Sequence, residues 1–334
     1  MRNTKLHKKN YKMEDFSIEK TEKMILPGVP ASSQSKFKKI KPAFGYFGSK
    51  NRLAKDLCSE LPQHYCWVEA FCGSASLTLA KSPASIEVIN DIDGGIINLF
   101  RQLRTNCDEL KRVVSSTPYA RGELELARIT NSNDSDLERA RKFLVQAMFA
   151  INSSFGKQRG GFSYSQSYSR NGRDARVNRW YNLPDRLAEV FERLRDVRIE
   201  NRDARDILKM FINRPATLVY LDPPYLGDRS AGYEIDANDE KFHQEMLELV
   251  NKAKCMIFIS GYKNEFYESI LTEKLGWDSK EIEATTKGNK GESFARKEIV
   301  WMNKYYLKAL ESGKVPIKLT DRELKEKKLN PERL

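Results

Sequence analysis

Asp222-Pro223-Pro224-Tyr225 directly follows the apolar run Thr217 to Leu221, and its residue types suit one particular task. An amine conjugated to an aromatic ring, such as the exocyclic amine of adenine, is a poor nucleophile because its lone pair is delocalised. A carboxylate accepting one N–H and a backbone carbonyl accepting the other draw that nitrogen towards sp³ and expose the lone pair to a sulfonium methyl. Asp222 and the carbonyl of Pro223 supply two such acceptors, Pro223 and Pro224 fix φ and stiffen the turn, and Tyr225 offers a flat face to a base taken out of a duplex. The plainer reading is a strand-ending turn with a packing tyrosine.

Two further motifs suit a nucleoside ligand. Val68 to Ser76 reads as a strand followed by a small-residue turn, with Phe71 and Gly73 at the point where backbone can approach a ligand and a helix expected from about Leu77. Asn90-Asp91-Ile92-Asp93 ends the next apolar run with acids able to accept from both ribose hydroxyls, or simply to cap the helix that follows. Other reactive residues fit less well. His243 is expected on a helix surface, Cys72 lacks the surroundings of a nucleophile, and Ser260-Gly261-Tyr262 reads as pocket wall or sheet edge.

The elements that must position these residues are short β-rich runs at 65–71, 85–91, 197–203, 216–221, 255–260 and 298–302. Helical patterns at 96–110 and 242–253 alternate with them, as in a doubly wound sheet. The interval between the second and third runs is too long for a simple crossover. It carries Arg159, Arg170, Arg173, Arg176 and Arg179 among aromatic and small polar residues, a mixture suited to phosphates and bases, or else to an ordinary solvated loop. The expected organisation is a basic arm over 1–40, an α/β domain over 41–110 and 196–303, an inserted target-recognition subdomain over 111–195, and a charged tail over 304–334.

Composition narrows the classes. The 334 residues hold 58 Lys and Arg against 46 Asp and Glu, a formal net charge of +12 that favours a polyanionic partner. No run approaches the ~20 apolar residues of a membrane span. Five cysteines without a C-x-x-C pair and three scattered histidines give no metal-site spacing, so no metal is expected. The N-terminus lacks the apolar core of a secretory signal, which predicts a reducing, cytoplasmic setting without disulfides.

The order of the motifs resembles the D12 class of DNA adenine methyltransferases, the Dam-like group. Phe44 to Ala54 is similar to that family's N-terminal cofactor motif, with Tyr46 at its aromatic position and Lys50 at its lysine; Asp91 matches the ribose-binding acid, and Asp222 opens the catalytic motif. The resemblance runs from about Phe44 to Asn303. It implies a doubly wound, Rossmann-like fold closed by an antiparallel strand, S-adenosylmethionine as cofactor, and duplex DNA as partner. It further implies that Tyr46, Lys50, Asp91 and Asp222 contact the cofactor, with Asp203 near the cofactor's adenine. The implied reaction is methylation of adenine N6. Cytosine N4, RNA adenine or a protein glutamine amide remains open, as does a DNA-binding protein with a vestigial site. The family's second turn glycine is Ala75 here, which is expected to sit unstrained at a helix start. The region 111–195 departs from the family's pattern, so no target sequence follows.

Overall fold

The apolar runs assemble into one seven-stranded sheet, and the computed structural model describes residues 39–46, 48–151, 160–166, 168–226, 240–287 and 293–314. A short helix, α1 (Ala54–Ser59), precedes β1 (Cys66–Glu69) and β2 (Ile86–Asn90). Five helices then run through α2 (Gly94–Thr105), α3 (Cys107–Ser116), α4 (Arg121–Ala127), α5 (Asp136–Phe149) and, beyond a small hairpin of β3 (Ser169–Arg170) and β4 (Arg173–Asp174), α6 (Ala175–Tyr181). After α7 (Leu183–Leu194) come β5 (Arg198–Glu200), α8 (Ala204–Phe211) and β6 (Thr217–Leu221). The chain continues through α9 (Glu240–Asn251), β7 (Met256–Gly261), α10 (Glu265–Ile270), β8 (Trp277–Lys287), β9 (Ser293–Asn303) and α11 (Lys304–Ser312).

The strand order is β5-β2-β1-β6-β7-β9-β8. The first five of these strands are parallel, and β9 and β8 run antiparallel to β7 and to each other respectively. This is the expected doubly wound α/β fold. Strands β1, β6 and β7 are buried throughout, as befits strands covered on both faces. Alternate residues supply the two layers: Val68, Val219, Ile257 and Trp301 pack under α8, α9 and α10, while Trp67, Leu218, Phe258 and Val300 pack with α1 and α11. From β1 the chain moves outward to β2 and β5, and then returns to β6 on the other side. A sheet of this kind opens a crevice beyond the strand ends at that reversal.

Several expectations need correction. Strand β8 was not foreseen, and a boundary at residue 110 falls inside α3. Residues Lys304 to Ser312 are not solvated tail: Asn303 caps α11 through Tyr306 N, and Tyr306 is buried in the core. His243 lies inside, not on a surface, because it shares the apolar stripe of α9 with Phe242, Met246, Leu247 and Val250; its Nδ1 is 2.7 Å from the Tyr267 hydroxyl. No regular helix begins near Leu77. Ala75 has φ +54°, a left-handed conformation unfavourable for any residue with a Cβ, so it is strained rather than relaxed. Its methyl is fully buried, and that packing offsets part of the strain.

Helices α2 to α7 do not form a core of their own. Leu79, Ile89 and Ile96 share one apolar cluster with Leu124, Phe149, Trp180 and Leu194. A buried ion cluster fastens the same junction, with Arg193 of α7 donating to Glu87 of β2 at 2.9 Å and to the Thr78 carbonyl at 2.8 Å, and Lys81 donating to Glu87 at 2.8 Å. Burial alone would raise the Glu87 pKa, yet Arg193 and Lys81 hold it below the usual value. Residues 1–38 of the expected basic arm and 315–334 of the tail lie outside the described residues, as does Arg159. Among the described residues no helix is long and apolar enough to cross a membrane, and no group of three or more His, Cys, Asp or Glu is placed to hold a metal.

Candidate active site

The crevice at the sheet reversal is lined by residues from three motifs: Tyr46, Ser49 and Lys50 ahead of α1; Glu69 at the end of β1 with Phe71 and Gly73 beyond it; and Asp222 and Pro224 after β6. Asp91 and Asp93 after β2 complete it. Its enclosed part is small, about 70 Å³, and it opens directly to solvent. Asn90 ties its floor together, donating to the carbonyls of Ala70 (2.9 Å) and Arg202 (3.0 Å) and so joining the ends of β1, β2 and β5.

The two acids of the β2 end divide the roles that the sequence left open. Asp93 is the helix cap, accepting from Gly95 N and Ile96 N, and it also accepts from the Tyr46 hydroxyl at 3.1 Å. Asp91 instead braces the glycine turn, accepting from Gly73 N (2.8 Å) and Asp93 N (3.0 Å). Burial raises its pKa to about 6 despite those two bonds. Glu69 is also buried at the crevice; burial raises its pKa to about 7 against the opposing bonds from the Thr78 hydroxyl and backbone. Three hydroxyls, Ser49, Ser74 and Ser76, form a closed ring of contacts at 2.8 to 2.9 Å on the same wall.

Gly73 is required by both backbone and space. Its φ is +48°, and a Cβ there would stand 3.3 Å from Tyr46 Cδ1. Gly73→Ala is therefore expected to cost about 1–2 kcal/mol and to displace the Tyr46 ring. A denaturant titration measures the first effect; an unchanged midpoint would overturn the assignment.

At the other end of the crevice, Lys50 Nζ stands 2.7 Å from Asp222 Oδ1, 3.2 Å from Glu298 Oε1 and 2.6 Å from the Tyr225 hydroxyl. Burial lowers the Lys50 pKa, but Asp222 and Glu298 outweigh it and leave the value raised. Tyr225 donates to Glu298 and packs edge-on against Tyr262 at 4.4 Å. Burial, then Asp222 and Glu298, push the Tyr225 pKa well above its ordinary value, so the phenol stays protonated. Ser260 donates to Asp222 Oδ1 at 3.1 Å, and Tyr220 lies 2.7 Å behind Ser260. Every one of these bonds to the Asp222 carboxylate ends on Oδ1. Among the described residues none ends on Oδ2, and none ends on the carbonyl of Pro223.

The order of motifs along the chain is decisive once joined to a family match: the model for the D12 class N6 adenine-specific DNA methyltransferases matches residues 46–289. The chain belongs to that family. As a D12 methyltransferase it methylates adenine in DNA, and its family implies S-adenosylmethionine as methyl donor. No curated protein matches it. Among solved structures it is similar to a precorrin 8W decarboxylase from Methanobacterium thermoautotrophicum, with 11% identity, 75% of this chain and 87% of that chain covered, and a TM-score of 0.31. It is also similar to a putative rRNA methylase from Clostridium thermocellum (10%, 76% and 96%, TM-score 0.33) and a SAM-dependent methyltransferase from Agrobacterium tumefaciens (10%, 76% and 60%, TM-score 0.30).

Within this D12 methyltransferase, Tyr46, Lys50, Phe71, Gly73, Asp91, Asp222 and Pro224 come together at one crevice, with Pro223 buried beneath it and Tyr225 behind Lys50. Asp203 is not among the lining residues. It caps α8 through Arg205 N and holds the Arg205 guanidinium, which lowers its pKa. Sequence reasoning gave no site role to Glu69, the three serines or Glu298, and left open which acid of the Asn90 to Asp93 motif is the helix cap. Asp93 stood beside Asp91 in the same motif, whereas Glu298 carried no local signal at all.

Of the arginines, Arg170 and Arg173 flank the turn of the β3–β4 hairpin, where Asn171 (φ +51°) and Gly172 (φ +71°) form the mirror-image turn suited to two-residue hairpins. The Arg173 guanidinium lies 4.1 Å from the Tyr181 ring centre. Arg176 is exposed on α6. Arg179 is half-buried, and burial followed by the like charges of Arg186 and Arg176 lowers its pKa.

Proposed function

We propose that the chain is a site-specific methyltransferase acting on adenine N6 in duplex DNA, and that Asp222 and the Pro223 carbonyl are the acceptors for the target amine. The observation that carries this reading is the asymmetry of Asp222: Lys50 and Ser260 both donate to Oδ1, with the Tyr225 hydroxyl 3.3 Å from the same oxygen, while among the described residues no bond ends on Oδ2 or on the Pro223 carbonyl. A neutral planar amine with two N–H donors matches that pair. Adenine in a duplex presents only the edge of its amine, so the base must leave the stack to reach Asp222.

The residues around the crevice fit the implied donor, a nucleoside bearing a charged amino-acid end. Asp91 offers carboxylate oxygens for ribose hydroxyls, the Tyr46 ring and Gly73 shape a flat slot, and Glu69 with the serine ring offers polar groups for the charged end. When bound, the donor supplies an electrophilic methyl on sulfur. Asp222 and Pro223 orient the amine, and Asp222 Oδ2 is placed to take the amine proton once nitrogen has become cationic.

The stretch 111–195 is proposed as the target-recognition part, with Arg170, Arg173, Arg176 and Arg179 on phosphates or bases. Replacing Arg173 and Arg176 together with alanine is expected to weaken DNA binding and to reduce the slope of log K against log salt by about 0.9 for each phosphate no longer neutralised. An unchanged slope removes them from the interface. The function itself is tested by incubating the full chain with mixed-sequence duplex DNA and isotopically labelled S-adenosylmethionine. Label in N6-methyladenine at defined positions is the expected result; label confined to cytosine, RNA or protein would overturn it.

A further inference from the structure

We infer that Glu298 is a positioning residue for the methyl-transfer step, holding Lys50 and Tyr225 so that Asp222 keeps one oxygen open for the target amine. The inference rests on the role of Asp222 proposed above.

Glu298 comes from β9, next to β7, and its side chain is only 5% exposed. It touches two of the three groups that lie against Asp222 Oδ1: Lys50 Nζ at 3.2 Å, and the Tyr225 hydroxyl, whose one proton goes to Glu298. The groups facing Glu298 are therefore Lys50 ahead of α1 and Asp222 and Tyr225 after β6, with Tyr220 and Ser260 one step further along the same hydrogen-bonded chain.

A lysine ammonium beside one isolated carboxylate is attracted to both oxygens and settles between them. A second carboxylate on its far side changes the balance of forces. Shared between Asp222 and Glu298, Lys50 stays at the Oδ1 side, and Oδ2 remains free. Charge counting leads to the same conclusion: two carboxylates and one ammonium leave one net negative charge beside a nitrogen that becomes positive as it is methylated. Such fixed, pre-oriented charge stabilises a transition state without reorganisation. Removing the Glu298 charge would leave Lys50 and Asp222 as a closed neutral pair, with nothing left over for the substrate.

Glu298→Gln preserves shape and can still accept from Tyr225, so it isolates charge from packing. The expected result is a fall in kcat of about tenfold to a hundredfold with the dissociation constant for S-adenosylmethionine changed less than about threefold. Glu298→Asp, which restores the charge on a shorter arm, should recover at least about fivefold of that loss. Crystal structures of both proteins supply a readout independent of turnover: in Glu298→Gln, Lys50 Nζ should move to within hydrogen-bond reach of Asp222 Oδ2. A kcat within about twofold of wild type, an aspartate variant no better than the glutamine one, or an unmoved Lys50 Nζ would each overturn the inference. Absence of adenine methylation by the wild-type protein would instead overturn the functional reading, while the position of Lys50 in the two structures would still decide the role of Glu298.

Discussion

Asp222→Ala is expected to reduce methyl transfer by at least about a thousandfold, at the upper end of what the loss of one pre-organised electrostatic group costs. The fold should survive. Lys50, which loses its nearer carboxylate, keeps Glu298 at 3.2 Å and the Tyr225 hydroxyl at 2.6 Å, so no buried charge is stranded. Asp222→Asn sharpens the test, because its amide can present an N–H where the substrate amine presents one too, and a donor facing a donor repels. Both variants should unfold within a few degrees of wild type. Single-turnover methylation followed by nucleoside mass spectrometry reads the effect, and either variant retaining more than about a tenth of wild-type rate would remove Asp222 from the chemistry.

Lys50→Met should act in the opposite manner, on the fold first. It leaves the Asp222 and Glu298 carboxylates, 17% and 5% exposed in their side chains, facing each other without their shared cation. Stranding buried charge in this way costs about 3–5 kcal/mol, which for a chain of this size lowers the melting temperature by roughly 5 °C. The deficit has a definite pH dependence. Burial already holds the Glu298 carboxyl above its usual range, with Lys50 pulling it back and Asp222 pushing it further up. Without Lys50 the value rises again, so the folded variant binds a proton at a pH where the unfolded chain does not. A folded-state pKa above the unfolded one means stability gained as pH falls. The gap between variant and wild type should therefore narrow as the pH falls from the neutral into the acidic range. A gap that stays constant over that interval would show that the carboxylates are not the source of the instability.

Much of this site was legible because its residues sit at strand ends, where local pattern and chemistry coincide. The run Thr217 to Leu221 announced a buried strand, and Asp222 had to stand at its carboxyl end. The glycine turn after β1 and the acids after β2 were readable for the same reason, although only the structure separates Asp93 the cap from Asp91 the brace. Glu298 was not legible, because its importance arises from the pairing of β9 with β7, which brings it to Tyr225 from 73 residues away. Strand β8 escaped notice because it is an edge strand with polar residues along much of its length, and such a strand lacks the apolar run that marks a central one. The β3–β4 hairpin was in reach, since Asn171-Gly172 is the strongest short turn signal, but only two residues pair on each side of it. Ala75 misled because dihedral strain leaves no trace in residue type.

The apolar cluster shared by the sheet and helices α2 to α7, locked by Arg193 on Glu87, has a thermodynamic corollary. Cys72, which lines the crevice, belongs to the same cluster as Trp180, the buried tryptophan of α6. Two surfaces built on one interior share the packing that orders them. Linkage then imposes a reciprocal relation: by whatever factor DNA tightens the hold on S-adenosylmethionine, S-adenosylmethionine tightens the hold on DNA by the same factor.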